Sequence, residues 1–256
     1  MKLAFGSPRP SQLRTKPNRV RAEHIGVDSA AKPETAPDGQ LMRYPIDTTV
    51  SSPVGGVLKR GFDIGIAIFA LLMLFPLVGL VALIVKLWDG GPAFYRHPRI
   101  GQNGRTFSCW KFRTMVVDSD DVLRRHLVAN PDAAQEWERT RKLRKDPRIT
   151  SIGLVLRKSS VDELPQLLNI IRGEMSIVGP RPIVSAEVRK YGPHIADYLR
   201  ARPGLTGEWQ VSGRNDTDYE TRVALDRTYV QNWSLRRDFL IIAKTVRVVV
   251  ATRGSY

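Results

Sequence analysis

The sequence predicts an α+β chain that is mostly helical, with one long apolar helix and a small β component. Three observations carry that expectation. From Ile64 to Val85 the chain runs 22 residues without a charge, bounded by Lys59, Arg60 and Asp63 before and by Lys86 after. Segments at 118–145, 164–171, 183–199 and 235–252 read as helices from apolar spacing, acidic starts and basic ends. Between them, Arg99 to Phe107 reads as two extended arms around an Asn103-Gly104 turn.

In order, residues 1 to about 55 are rich in Pro, Arg, Lys, Ser and Ala without apolar periodicity, and read as a disordered basic tail. The first apolar run begins only at Ile64, too far in for a secretory signal, so the tail is expected to be retained on the cytoplasmic side. The run is long enough to span a bilayer. Pro76 near its middle removes a helical hydrogen bond and predicts a kink. Cations flank both ends, Lys59 and Arg60 before and Lys86, Arg96 and Arg99 after, so the positive-inside rule assigns no clear orientation to a span. A simple transmembrane helix and a helix that bends at Pro76 and returns to the same face both fit.

Gly90-Gly91-Pro92 breaks the helix, and Ala93 to Arg96 reads as a short strand. The glycines at 101 and 104 suit a structural hairpin better than a phosphate-cradling loop. Lys111-Phe112-Arg113-Thr114-Met115 alternates basic and apolar residues, placing both cations on one strand face, which is either solvated or turned to a substrate diphosphate. Residues 118–145 open with acids and end in the basic run Arg139, Arg141, Lys142, Arg144 and Lys145, and Asn130-Pro131 divides them into two helices. That basic end suits solvent or anionic lipid, each cation near a lipid surface contributing on the order of 1 kcal/mol.

The central stretch runs from Ser159 through Asp162-Glu163-Leu164-Pro165-Gln166 to Gly179-Pro180-Arg181-Pro182. With Asp162 as N-cap, Pro165 falls in the first helical turn, where its missing N–H costs nothing. Two adjacent carboxylates there can hold a divalent cation, and the free amides a phosphate. The alternative is an ordinary acidic helix start followed by the apolar face Leu164, Leu167, Leu168 and Ile171. Beyond it, the helix at 183–199 breaks at Gly192-Pro193, and the turn-rich Arg202 to Gly207 leads into Glu208 to Arg214. Trp209 and Trp233 are expected in the core. The last helix sets Phe239, Ile242, Val246 and Val249 along one side, as a packed amphipathic helix or one on a membrane surface.

A formal net charge of +15 predicts a polyanionic neighbour: nucleic acid, an anionic membrane face or a phosphorylated substrate. Cys109 is the only cysteine, which rules out an intramolecular disulfide, and the four histidines show no zinc-ligand spacing.

Taken in order, Lys59-Arg60-Gly61-Phe62-Asp63, the apolar helix with Pro76, Lys111-Phe112-Arg113-Thr114-Met115, Asp162-Glu163-Leu164-Pro165-Gln166, Gly173-Glu174-Met175-Ser176 through Pro182, and Pro203-Gly204-Leu205-Thr206-Gly207 resemble the bacterial sugar transferase family. These are monotopic phosphoglycosyl transferases that begin glycan assembly on a polyprenyl phosphate. The resemblance covers roughly residues 57 to 256 and is strongest to the initiating enzymes of exopolysaccharide synthesis, including undecaprenyl-phosphate galactose phosphotransferases. It implies a membrane-inserted re-entrant helix over 56–88 kinked at Pro76, and a cytoplasmic, interface-associated catalytic domain over 89–256, on the inner membrane of a bacterium. Where the family motif often has Ser before the kink proline, this chain has Phe75.

The resemblance further implies that Asp162 attacks the β-phosphorus of a UDP-sugar and expels UMP, and that undecaprenyl phosphate then takes the hexose-1-phosphate. Galactose is the expected sugar and glucose the alternative. Glu163, with Asp162, would hold Mg²⁺, while Lys111 and Arg113 would offset phosphate charge. Arg181 between Pro180 and Pro182, with Arg157 and Arg214, would bind substrate. Partners are the UDP-sugar, undecaprenyl phosphate and inner-membrane lipid, not nucleic acid, with a homodimer left open. Two rivals stand beside this: a non-catalytic, membrane-tethered basic binding module, and the same transfer by direct metal-assisted attack of the carrier phosphate.

Overall fold

The computed structural model describes residues 53–213 and 218–250, so the basic tail expected up to residue 55 falls almost wholly outside the described residues. The chain is mostly helical. Helix α1 (Gly56–Asp89) leads into strands β1 (Phe94–Ile100) and β2 (Thr106–Phe112), then α2 (Ser119–Ala129), α3 (Pro131–Thr140), α4 (Ser151–Lys158) and α5 (Gln166–Arg172). The remainder is β3 (Ser176–Val178), α6 (Ser185–Tyr191), α7 (Ile195–Leu199), β4 (Gly204–Thr206), α8 (Glu208–Val211), α9 (Tyr219–Gln231) and α10 (Leu235–Val250).

At about 1.5 Å per residue, α1 is roughly 50 Å long, and its helical run continues through Pro76. One face is buried at helical spacing: Asp63, Ala67, Val81 and Val85, with half-buried Ala70, Leu74 and Val78 between them. The other face exposes Phe69, Leu72, Met73, Phe75, Leu80 and Leu87. Its first half packs on the main core, where Ala67 meets Leu167, Ile170, Met175, Val178, Tyr229 and Ile241. Its second half packs through Val81 and Val85 on Phe112 and Leu156. β2 joins the two regions, giving Phe107 and Cys109 to the first and Phe112 to the second.

β1 and β2 form the expected hairpin, antiparallel from Phe94 opposite Phe112 to Ile100 opposite Thr106. Asn103 (φ 54°) and Gly104 (φ 72°) take the left-handed conformations of its turn. Asn130-Pro131 separates α2 from α3, and Gly192-Pro193 separates α6 from α7 through a 3₁₀ turn, both as expected.

Three local expectations are corrected. Asp162 is not an N-cap: it sits inside a 3₁₀ turn, Val161–Glu163, entered through Ser160 at φ 57°, and α5 starts only at Gln166 with Pro165 at its cap. The strand expected at Lys111 to Met115 ends at Phe112. On α10 the buried side chains are Asp238 and Ile241, whereas Phe239 and Val246 of the expected apolar stripe are exposed, and the side chain of Val249 lies outside the described residues. Asp238 is drawn inward by Lys59, Tyr229 and Trp233, so a polar network sets the buried face of that helix.

Candidate active site

Asp162 and Glu163 reach their place through a short relay. α4 ends at Lys158, Ser160 reverses the chain, and one 3₁₀ turn delivers the pair before α5 begins. Their apolar neighbours Val161 and Leu164 pack towards the second half of α1. The Lys111 ammonium donates to Glu163 Oε1 at 2.6 Å and lies 3.8 Å from Asp162 Oδ2. Alternation along β2 puts Lys111 on the same face as Cys109 and opposite Phe112.

Asp162 is only 8% exposed. Burial pushes its carboxyl up to about 6; Lys111 and Arg157 pull it down, while the neighbouring Glu163 adds to the rise. Arg157 comes from the last turn of α4, and its Nε donates to Thr114 Oγ1 at 2.8 Å. Asn169, fully buried in α5, locks β2 against the helix that follows the carboxylates. It accepts from Trp110 N at 3.0 Å, and donates to Ser108 O at 2.8 Å and to Glu174 Oε2 at 2.6 Å. Sequence reasoning missed Asn169; its signal is one amide beside the apolar Leu167 and Ile170.

Across a cleft from Glu163 stands the Gly179-Pro180-Arg181-Pro182 turn. It and Pro203-Gly204-Leu205-Thr206-Gly207 are a single packed unit: Gly179 N donates to Thr206 O at 2.9 Å, and Gly204 N to Pro180 O at 2.8 Å. A Cβ at Gly204 would lie 2.1 Å from Gly179 N, and one at Gly207 2.2 Å from Gly179 O, so this approach requires glycine. Arg181 emerges with its guanidinium 5.3 Å from the centre of the Trp209 ring, against which Arg222 also lies at 5.1 Å. Trp209 is buried, as expected.

Lys111, Glu163, Arg181 and Pro182 line one cleft of about 290 Å³, together with Arg99, Gln166 and Cys109. Arg99 is an addition to the residues read from sequence. Its Nη1 donates to Pro182 O at 3.3 Å, and burial, then the adjacent Arg181, disfavours its charge. Asp162 is not among the residues that line this cleft; Glu163 and Lys111 face the two guanidinium groups across it, an arrangement that can bind an anion.

Arg113 is not part of that cleft. It pairs with Asp89 at the end of α1 and borders a separate cleft of about 200 Å³ with Val85, Trp88 and Thr150. The shared strand face expected for Lys111 and Arg113 fails because β2 ends between them. Pro180 and Pro182 flank Arg181 as expected, Pro76 lies on the exposed side of α1, and Arg214 falls outside the described residues. Among the described residues no group of three or more His, Cys, Asp or Glu gathers. The only carboxylates among them at this point are Asp162 and Glu163, and the Lys111 ammonium lies against both.

A family model described as bacterial sugar transferase matches residues 54–252. The chain is 58% identical over 212 residues to the exopolysaccharide production protein ExoY of Sinorhizobium fredii, covering 83% of this chain and 94% of the relative. It is 47% identical over 222 residues to the undecaprenyl-phosphate galactose phosphotransferase of Salmonella typhimurium, covering 85% of this chain and 45% of that protein. It is also 38% identical over 239 residues to the UDP-glucose:undecaprenyl-phosphate glucose-1-phosphate transferase of Caulobacter vibrioides, covering 85% and 84%.

Proposed function

The chain belongs to the bacterial sugar transferase family and is a sugar-phosphate transferase, and from that premise we propose that it moves galactose-1-phosphate from UDP-galactose to undecaprenyl phosphate, releasing UMP, as the first step of exopolysaccharide assembly. The observation that carries the reading is the single cleft in which Lys111 and the acidic Glu163 face Arg181 and Arg99. Galactose rests on the higher identity to the relative named for it, 47% against 38% for one named for glucose.

In the proposed chemistry an Asp162 oxygen bonds to the β-phosphorus and the bond from that phosphorus to the bridging oxygen breaks, so UMP leaves with the bond's electrons. An oxygen of the carrier phosphate then attacks the same phosphorus and returns the carboxylate. Lys111 holds Glu163 and lowers the proton affinity of Asp162, keeping the nucleophile ionised near neutral pH. Arg181 and Arg99 bind the donor phosphates, and Arg157 adds positive charge that favours the ionised Asp162. Mg²⁺ held by Glu163 and Asp162 would neutralise charge on the departing nucleotide.

The acceptor is lipid-anchored and the donor water-soluble, so the cleft belongs at a membrane surface. α1 supports such a placement: both of its halves pack on one catalytic body while its outer face is apolar. A helix that enters and leaves the same leaflet is compatible with those contacts. The catalytic domain then faces the cytoplasm at the inner membrane. α10 adds exposed Phe239, Leu240 and Val246 beside Phe62 of α1, extending the same apolar surface.

Purified enzyme given UDP-galactose without acceptor tests the covalent route. It should release UMP in an amount comparable to enzyme, and Asp162→Asn should release none; release only after undecaprenyl phosphate is added would favour direct attack. A panel of UDP-sugars under turnover tests the sugar, and faster transfer from UDP-glucose would overturn the galactose assignment.

A further inference from the structure

Asp63 of α1, fully buried, accepts at Oδ1 from Ser176 Oγ (2.9 Å) and from the Ile177 main-chain N–H (3.0 Å). Lys59, one helical turn earlier, lies 3.7 Å from that carboxylate and donates to Asp238 of α10 at 2.7 Å. The Tyr229 hydroxyl lies 2.8 Å from Asp238 and 3.0 Å from Val178 O. All three residues of β3 are thus tied to a side chain from another element.

β3 has only three residues, paired on one side with the equally short β4. Strand pairing of that length holds a position weakly. Arg181 follows three residues later, across Gly179 and Pro180, whose main chain is held by the bonds from Gly179 N to Thr206 O and from Gly204 N to Pro180 O. A displacement of β3 therefore passes to Arg181 with little relaxation. Fixing a helix to a strand needs only apolar packing, and buried charges are an expensive substitute for it. What the carboxylate adds is directional placement of a main-chain amide.

We infer that Asp63 is a positioning residue for Arg181: the lipid-facing helix, through this carboxylate, sets the wall of the cleft that receives the donor phosphates. The inference rests on the proposed role of Arg181 as a donor phosphate contact. It makes α1 part of the donor site as well as the seat of the enzyme on lipid.

The test is a kinetic cycle on full-length enzyme in nanodiscs, with UDP-sugar and undecaprenyl phosphate varied separately. Asp63→Asn should raise the donor KM at least about 5-fold, with acceptor KM and kcat at saturation within about 2-fold. Ser176→Ala, which removes one of the two donors with little change in volume, should move the donor KM in the same direction and serves if Asp63→Asn fails to fold. Trp233→Phe removes a hydrogen bond to Asp238 without touching β3 and should lower thermal stability while leaving both KM values alone. On an Arg181→Ala background, Asp63→Asn should cause no further change in donor KM. An equal effect of Asp63→Asn with and without Arg181, or lost thermal stability at an unchanged donor KM, overturns the inference. Wild-type donor KM in Arg181→Ala itself overturns the placement of Arg181 and with it this role of Asp63.

Discussion

Lys111 Nζ sits 2.6 Å from Glu163 Oε1, and 3.8 Å from the Asp162 carboxylate beside it, so one ammonium serves two carboxylates. Without it, burial and Glu163 would act on Asp162 opposed chiefly by Arg157. The Lys111–Glu163 pair is therefore a control on the ionisation of the proposed nucleophile.

The first prediction concerns pH. Asp162 is held up at about 6, so the donor half-reaction should fall as pH drops through that value and the carboxyl takes a proton. Lys111→Met removes the largest opposing influence, and the acidic limb should move upward by about one pH unit. Single-turnover UMP release measured from pH 5 to 8 checks both, and an unshifted limb in Lys111→Met would contradict the coupling.

The same shift has a stability consequence of opposite sense. A carboxyl raised on folding stabilises the native state when protonated, a contribution fully present below the unfolded value near 3.8 and lost as pH rises through about 6. Asp162→Asn should therefore be neutral or stabilising at pH 7.5, by up to the order of 2 kcal/mol, while abolishing turnover. Thermal unfolding of the two proteins at pH 5 and 7.5 should show the gap open with rising pH.

Asn169→Leu should cost roughly 2–4 kcal/mol, because its bonds to Trp110 N, Ser108 O and Glu174 are lost in a fully buried place. Denaturant unfolding reads the loss directly. Turnover should fall more than stability alone explains, since β2 carries Lys111.

Gly204→Ala should leave little folded enzyme. The new Cβ would meet Gly179 N at 2.1 Å and Thr206 O at 2.2 Å, main-chain atoms that cannot rotate away. Gly61→Ala, where nothing lies within 4 Å, is the matched control and should express normally. Soluble yield in detergent separates them.

Leu72→Lys with Met73→Lys, both on the exposed face of α1, should shift the enzyme from the membrane fraction towards the soluble one without unfolding it. An engineered cysteine at either end of α1 should be labelled only from the cytoplasmic side in intact cells. Labelling of one end from the outside would establish a span.

Much of the fold was legible because it depends on short-range backbone rules. Asn103-Gly104 turns the hairpin, Pro131 starts a new helix and Gly192-Pro193 interrupts another, each through restrictions on φ and on the N–H of one or two residues. The same rules misplaced Asp162, since a strained Ser160 and the ring of Pro165 together favour a 3₁₀ turn over an immediate helix. Apolar periodicity misread α10 because Asp238 buries with Lys59, a partner 179 positions away.

By itself, then, the sequence determined most of the helices, the hairpin, the long apolar helix and the adjacent acids flanked by cationic motifs, all properties of neighbouring residues, but not the short strands β3 and β4. Tertiary structure alone decided that Lys111 meets Glu163 while Arg113 turns to Asp89, that Arg99 joins Arg181, and that Asp63 reaches β3. Those pairings join residues far apart in the chain. They depend on where whole helices and strands come to rest, which packing and the burial of charge decide and local spacing does not encode.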